Sequence, residues 1–209
     1  MKHALIVCNG FPPSKPLLHQ FVNPDTYLIG ADGGAHHLLD AGFVPDIVIG
    51  DLDSFSHHNP TGYTVIHDAD QETNDLEKAL NLAHKEAFRN VVVLGATGRR
   101  LDHSLKNLSV LQQCAPRFHD LIFVDEAFYI RLIPKAFETD IDPGAIISLF
   151  PISGEVGGIQ TEGLKYPLNN ESLTNGLRDG TSNEAVESRI RIRYTTGDLI
   201  GFFERTQEQ

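Results

Sequence analysis

The amino-acid sequence predicts an α/β fold in its first part and an antiparallel β fold in its second. Three observations carry that prediction. Short β-branched runs without polar alternation recur through about the first 130 residues, as in parallel strands covered on both faces. Amphipathic helical patterns fall between those runs. From about Phe128 onward no helical period remains, and glycine and proline punctuate short strand-like stretches.

The strands expected in the first part are Ala4–Cys8, Tyr27–Gly30, Asp46–Gly50, Tyr63–His67, Val91–Gly95 and Leu121–Asp125. Between Asn74 and Phe88, the residues Leu76, Ala79, Leu80, Ala83 and Ala87 repeat at helical spacing, and Asn74 followed by Glu77 reads as a cap with its reciprocal acid. A second helix is expected from about Leu101 to Cys114, with Leu101, Leu105 and Leu108 on one apolar face. Alternation of this kind builds an open, mostly parallel, Rossmann-like sheet whose ligands bind at the carboxyl ends of the strands. The second part offers Phe128–Ile133, Ala145–Phe150, Glu155–Gln160, Arg189–Tyr194 and Leu199–Glu204, which suit a smaller antiparallel sheet or β-sandwich. The grammar changes near Pro134–Asp142, so the expected domains are residues 1–133 and 134–209.

Composition narrows the function. With 41 % apolar and 22 % charged residues among 209, the chain has the make-up of an ordinary soluble globular protein. Its 28 acidic against 17 basic residues give a formal net charge of −11, which excludes a general affinity for nucleic acid or anionic membrane. A polyanionic small ligand stays open, because a metal ion and a few local cations reverse the field within a cleft. Cys8 and Cys114 suggest neither a disulfide framework nor a zinc site. Met1-Lys2-His3-Ala4 runs straight into a strand without a signal-peptide pattern, and no apolar run approaches the ~18–20 residues that span a bilayer. The Asn-x-Ser/Thr matches at Asn107 and Asn170 are then coincidental, and a cytoplasmic location is expected.

Chemistry-bearing residues cluster at the strand-to-helix junctions. Asp46-Ile47-Val48-Ile49-Gly50 ends a strand and is followed by Asp51-Leu52-Asp53-Ser54. Extended geometry puts Asp51 and Asp53 on one side, about 7 Å apart along the backbone. Like charges that close favour a cation between them, and hard oxygen ligands suit Mg²⁺ completed by phosphate oxygens. Asp32, in Gly30-Ala31-Asp32-Gly33-Gly34, either lines a phosphate site or belongs to a turn. In Asp70-Gln71-Glu72-Thr73-Asn74-Asp75-Leu76-Glu77-Lys78, Asp75 opens a helix, and Lys78, well off its apolar face, either reaches a phosphate or forms an i,i+3 ion pair. In Gly98-Arg99-Arg100-Leu101-Asp102-His103, arginines match phosphate geometry, or the segment is a solvated helix start with an Asp102–Lys106 pair. It is not a P-loop, since the Gly-x4-Gly-Lys-Ser/Thr pattern is absent. His36-His37 and His57-His58 lack a ligand partner at fixed spacing and read as surface or structural residues.

Taken together, these motifs resemble the thiamin pyrophosphokinase family, as do Gly163-Leu164-Lys165-Tyr166-Pro167-Leu168 and Thr181-Ser182-Asn183-Glu184 in the second part. The resemblance spans nearly the whole chain, in order. It implies a β-sandwich for the second part, a homodimer with its sites between subunits, and transfer of pyrophosphate from ATP to the thiamin hydroxyl, giving thiamin diphosphate and AMP. On this resemblance Asp51, Asp53 and Asp75 hold Mg²⁺, while Lys78, Arg99 or Arg100 meet the ATP phosphates and Asp32, Gln71 and Asn74 line the cleft. Asp102 lies near the reacting hydroxyl, and Ser182 and Asn183 of the partner subunit bind the aminopyrimidine. The family commonly has glycine where Arg99 stands, so Arg100 is the expected phosphate ligand and Arg99 alters the loop or adds a charge. Asp102 is the expected base; Asp75, metal-bound, would be a poorer one. Rival readings are a pyrophosphokinase acting on a pterin alcohol, a haloacid-dehalogenase-like phosphatase with Asp51 as nucleophile, and a non-catalytic sensor of nucleotide or thiamin.

Overall fold

The structure, a computed structural model, describes residues 3–55 and 62–206, so the pair His57-His58 lies outside the described residues. The chain divides into two compact units, one ending at Glu126 and the other starting at Ala127.

The first unit contains a parallel sheet of β1 (His3–Val7), β2 (Thr26–Ala31), β3 (Ile47–Gly50), β4 (Thr64–His67), β5 (Asn90–Leu94) and β6 (Asp120–Val124). Their order is β6-β5-β1-β2-β3-β4, and every neighbouring pair among them is parallel. Each expected strand is present, shifted by no more than one residue at either end. Continuous β-branched runs become fully buried strands: Leu5, Ile6, Ile29, Leu94 and Phe123 are closed off from solvent, each contributing about 1.5–3 kcal/mol by burial. Strand β4, at the edge, is the partly exposed exception.

Four helices connect these strands: α1 (Lys15–Phe21), α2 (Gly34–Ala41), α3 (Asp75–Lys85) and α4 (Leu101–Cys114). Helix α3 starts as read, the Asn74 side chain accepting from the Glu77 N–H at 2.9 Å. The reciprocal half is different. The nearly buried Glu77 carboxylate instead accepts from Gln113 and Lys106 of α4, at 2.8 and 3.4 Å. Helix α4 also departs from its expected face. Leu101 and Leu105 are 74 % and 55 % exposed, and the inward residues are Asn107, Val110, Leu111 and Cys114. Both stripes have helical spacing, and only the packing against α3 and the sheet selects between them. The expected Asp102–Lys106 pair gives way for the same reason, Lys106 turning to Glu77 and Asp102 to Arg100.

The second unit holds β7 (Phe128–Ile133), β8 (Ala136–Asp140), β9 (Ile146–Pro151), β10 (Val156–Glu162), β11 (Asn169–Leu173), β12 (Gly180–Glu184), β13 (Arg189–Arg193) and β14 (Leu199–Glu204). They pair antiparallel in the orders β12-β9-β14-β7 and β11-β10-β13-β8. Side chains from both sets, including Ile147, Leu149, Leu199, Ile159, Ile190 and Ile192, share one buried cluster. Along β13 the alternation is strict: Ile190 and Ile192 point in, while Arg189 and Arg191 point out to Glu138, Asp140 and Glu162. The boundary between units falls before β7 rather than after it, because β7 pairs with β14 from Phe128↔Glu204 to Ile133↔Leu199. Among the described residues no helix is long and apolar enough to cross a membrane.

Candidate active site

In the first unit the chain moves outward from β1 through β2, β3 and β4, then returns to lay β5 on the other side of β1. Crevices at such a reversal, beyond the carboxyl ends of the strands, are where open α/β sheets bind ligands. A cleft of ≈ 480 Å³ lies there, lined by residues that follow β1, β2, β3, β4 and β5. Asp32, Asp51, Asp53, Gln71, Asn74, Asp75, Lys78, Arg99 and Arg100 all line it; Asp102 does not.

Three of these acids converge. Asp32, Asp51 and Asp75 each offer a carboxylate oxygen within 4.8 Å of the others. The cluster differs from the expected trio, with Asp32 in the position given to Asp53. Strand β3 stops at Gly50, and Leu52 adopts φ +62°, so the segment is no longer extended and period-2 geometry does not apply. It becomes a turn, in which the Asp53 N–H donates to the Asp51 carboxylate at 3.2 Å. The Asp53 carboxylate accepts from the Ser54 hydroxyl at 2.9 Å and stays exposed at the cleft wall. Gly50 makes the convergence possible: a Cβ there would come within 2.8 Å of the Asp32 Cβ and 2.9 Å of an Asp75 oxygen.

Burial and mutual repulsion dominate the electrostatics of the acids. Asp32 is 3 % exposed; one oxygen accepts from the Ser54 N–H at 3.2 Å and the other, buried, has no partner. Burial, and then repulsion from Asp75 and Asp53, pushes its acid above the ordinary carboxylate range. Burial does the same to Asp75, opposed by Lys78 and aided by Asp51. An orphaned buried oxygen beside two further carboxylates fits a divalent cation.

The helix α3 start delivers the remaining groups. Lys78 lines the cleft but, though off the apolar face, is only 3 % exposed, and its ammonium lies 3.5 Å from Asp75, so the i,i+3 pair is the alternative seen here. Asn74 has structural duties: beyond its cap, its amide donates to Asn107 at 2.8 Å, and Asn107 donates to the Ala96 carbonyl at 2.7 Å. That chain ties α3, α4 and the end of β5 together. Gln71 is exposed and bonds only weakly, to the Ala69 carbonyl at 3.4 Å. Asp70, absent from the expected set, accepts from Thr73 at 2.6 Å, which draws its acid below the usual range.

At the β5–α4 loop, Arg100 and Asp102 hold one another, at 3.1 and 2.5 Å, and both are exposed. This pairing holds Asp102 below the ordinary carboxylate range. Arg99 adopts φ +55° and reaches back to Asn9 beyond β1, donating to its side-chain oxygen at 2.7 Å. Asn9 and His103 also line the cleft; Asn9 belongs to no motif read from the sequence, and His103 closes the Gly98–His103 motif without having been given a role there. Of the histidine pair after β2, His36 lies tilted against Phe55 and His37 keeps a buried ring nitrogen without a partner.

The motifs of the second unit meet within that unit. The Asn183 side chain accepts from the Tyr166 and Glu184 N–H groups and donates to the Tyr166 carbonyl, at 3.1, 2.9 and 2.8 Å. Lys165 pairs with Glu184 at 2.8 Å. Ser182, at φ +58°, is exposed, and its N–H donates to Ser148 at 3.0 Å.

Comparison with known proteins is decisive. Residues 18–123 match the model "Thiamin pyrophosphokinase, catalytic domain", and residues 134–199 match "Thiamin pyrophosphokinase, vitamin B1 binding domain". The chain belongs to the thiamin pyrophosphokinase family. A thiamine pyrophosphokinase of Bacillus subtilis is 31 % identical, with 96 % of this chain and 97 % of that protein covered. Thiamine pyrophosphokinase 1 of rice is 28 % identical over 95 % of this chain and 85 % of the relative. The crystal structure of the B. subtilis thiamine pyrophosphokinase superposes with TM-score 0.86 at 28 % identity, covering 99 % of this chain and 100 % of the other. That of Geobacillus thermodenitrificans gives 0.84 at 27 % identity, covering 99 % of both. The chain is therefore a transferase of the thiamin pyrophosphokinase type, and neither the pterin nor the phosphatase reading is favoured.

Proposed function

We propose that the cleft of the first unit binds Mg-ATP and passes its terminal pyrophosphoryl group to the hydroxyl of thiamin. The observation that carries this reading is the meeting of Asp32, Asp51 and Asp75 around a buried, unpartnered oxygen, with Lys78 and two arginines in the same strand-end cleft. Asp51, Asp75 and Asp32 would hold Mg²⁺, with Asp53 at the rim. The ion would neutralise phosphate charge as it builds up.

The protein's own part is positioning and charge balance. Lys78 and the arginines hold the triphosphate so that the thiamin oxygen meets the β-phosphorus in line. The new O–P bond forms as the bond to the α-phosphate oxygen breaks, and AMP leaves with that electron pair. The hydroxyl proton goes to a carboxylate, for which we assign Asp102. Its pairing with Arg100 lowers its basicity, so the assignment requires Arg100 to turn to phosphate when ATP arrives, freeing Asp102. Asp102→Asn retaining near-normal turnover with intact binding would remove this role.

Thiamin recognition belongs, in this reading, to a homodimer in which Ser182 and Asn183 of the partner subunit meet the aminopyrimidine. The exposed, left-handed Ser182 beside a firmly braced Asn183 supports it. We also read the first unit as Rossmann-like, the second as a β-sandwich, and the location as cytoplasmic, where the two free, buried cysteines stay reduced. Incubation with Mg-ATP and thiamin, with AMP and thiamin diphosphate both measured, tests the reaction. Phosphate release without AMP, or transfer to a pterin alcohol in preference to thiamin, would point to the rival enzymes.

A further inference from the structure

The cleft holds three Lys and Arg side chains among the described residues, and two are already committed to acids. Lys78 faces Asp75, and Arg100 faces Asp102. Arg99 is different. Its hydrogen bonds go to one neutral residue, Asn9, with Nη1 donating to the side-chain oxygen at 2.7 Å and to the carbonyl at 3.4 Å. The guanidinium thus keeps its charge inside an otherwise acidic cleft. His37 registers that charge: burial first, and then Arg99, hold its imidazole below the ordinary value.

The anchor is rigid. The loop after β1 is stitched to the loop after β5 by Gly10 N–H to the Gly95 carbonyl and Phe11 N–H to the Thr97 carbonyl, both 2.9 Å. On its other side, the Asn9 amide nitrogen presses on Gly33, where a Cβ would come within 2.4 Å of it. Arg99 keeps a left-handed backbone, φ +55°, which residues other than glycine rarely adopt. A long side chain on a strained backbone, lining the cleft and tied to a neutral partner, is preorganised for an anion.

We propose that Arg99 is a standing phosphate ligand of this cleft and that Asn9 is its positioning residue. The ligand class is a polyphosphate, and the proposal rests on the nucleotide reading above. Arg100 must first break its ion pair with Asp102 before it meets a phosphate. Arg99 breaks none, so its charge-assisted bond to a phosphate replaces only water.

The test is binding of two probes to the full chain with Mg²⁺, a non-hydrolysable ATP analogue and inorganic tripolyphosphate, followed by titration calorimetry. Arg99→Gly should weaken both about tenfold and flatten the salt dependence of binding. Its melting temperature should not fall, because glycine suits φ +55°. Asn9→Ala should weaken binding about threefold, and Asn9→Ala combined with Arg99→Gly should be no weaker than Arg99→Gly alone. Arg99→Lys should recover part of the loss. Arg99→Gly within about twofold of wild type, or Asn9→Ala adding its whole effect in the double variant, overturns the proposal. Tight tripolyphosphate binding without binding of the ATP analogue would sink the nucleotide reading and leave the Arg99 assignment standing. Binding of neither probe by the wild type would sink both.

Discussion

At Asp32 and Asp75 the fold holds acids whose ionised forms burial disfavours. Their folded pKa values lie above the unfolded ones, so their stabilising effect is present at low pH and disappears as pH rises through the raised folded values. At neutral pH the metal-free protein bears that cost, and a divalent cation bound there, as proposed, would offset it. Mg²⁺ should therefore raise the melting temperature more at about pH 7 than near pH 4, where protonated acids cannot ligate; equal gains at both would contradict the cluster. Asp32→Asn, which removes a repelling charge, should raise the metal-free melting temperature at pH 7 by about 2–4 °C, the scale of ~1 kcal/mol in a chain of this size. The same variant should lose most of the Mg²⁺-dependent gain. Asp75→Asn should lower turnover by at least ~100-fold with the fold intact by circular dichroism. Of the cluster, Asp51 and Asp75 were legible as strand-end and helix-start acids. Asp32 stood in a glycine-rich turn that reads equally as plain turn chemistry, and only the left-handed backbone at Leu52 explains why it, rather than Asp53, faces the other two.

Among the elements, α3 and α4 show how far pattern alone reaches. Cap chemistry is local, so Asn74 was readable; its bond to Asn107, 33 positions away, was not. Asn74→Ala removes the cap and leaves a buried amide oxygen short of a donor, so unfolding in denaturant should show a loss of about 2–3 kcal/mol, above the ~1 kcal/mol of a cap alone. Helix α4 carries two apolar stripes, and its neighbours chose the one centred on Val110 and Leu111. Leu111→Ala should then cost about 2–5 kcal/mol, whereas Leu105→Ser should change monomer stability by less than about 0.5 kcal/mol. A large loss at Leu105 would mean the exposed stripe is covered in solution. In the second unit β8, β11 and β12 escaped detection because their residues are mostly polar, leaving little apolar alternation to read.

For the molecule as a whole, a net charge of −11 meets a substrate that is itself a polyanion. Nucleotide binding should accordingly depend on the divalent ion: chelation with EDTA should abolish binding of the ATP analogue and Mg²⁺ should restore it, whereas metal-independent binding would speak against the acid cluster as the nucleotide's partner. The strand positions of the first unit, the α/β-then-β order of the chain and the family were determined by the sequence itself, because hydrophobic period, turn residues and motif order are local or linear properties. Tertiary structure alone decided which acids come together, which face of α4 is buried, that Arg100 is held by Asp102, and that Arg99 rests on Asn9. Those outcomes depend on distances between segments far apart in the chain, and such distances exist only once the strands are registered side by side.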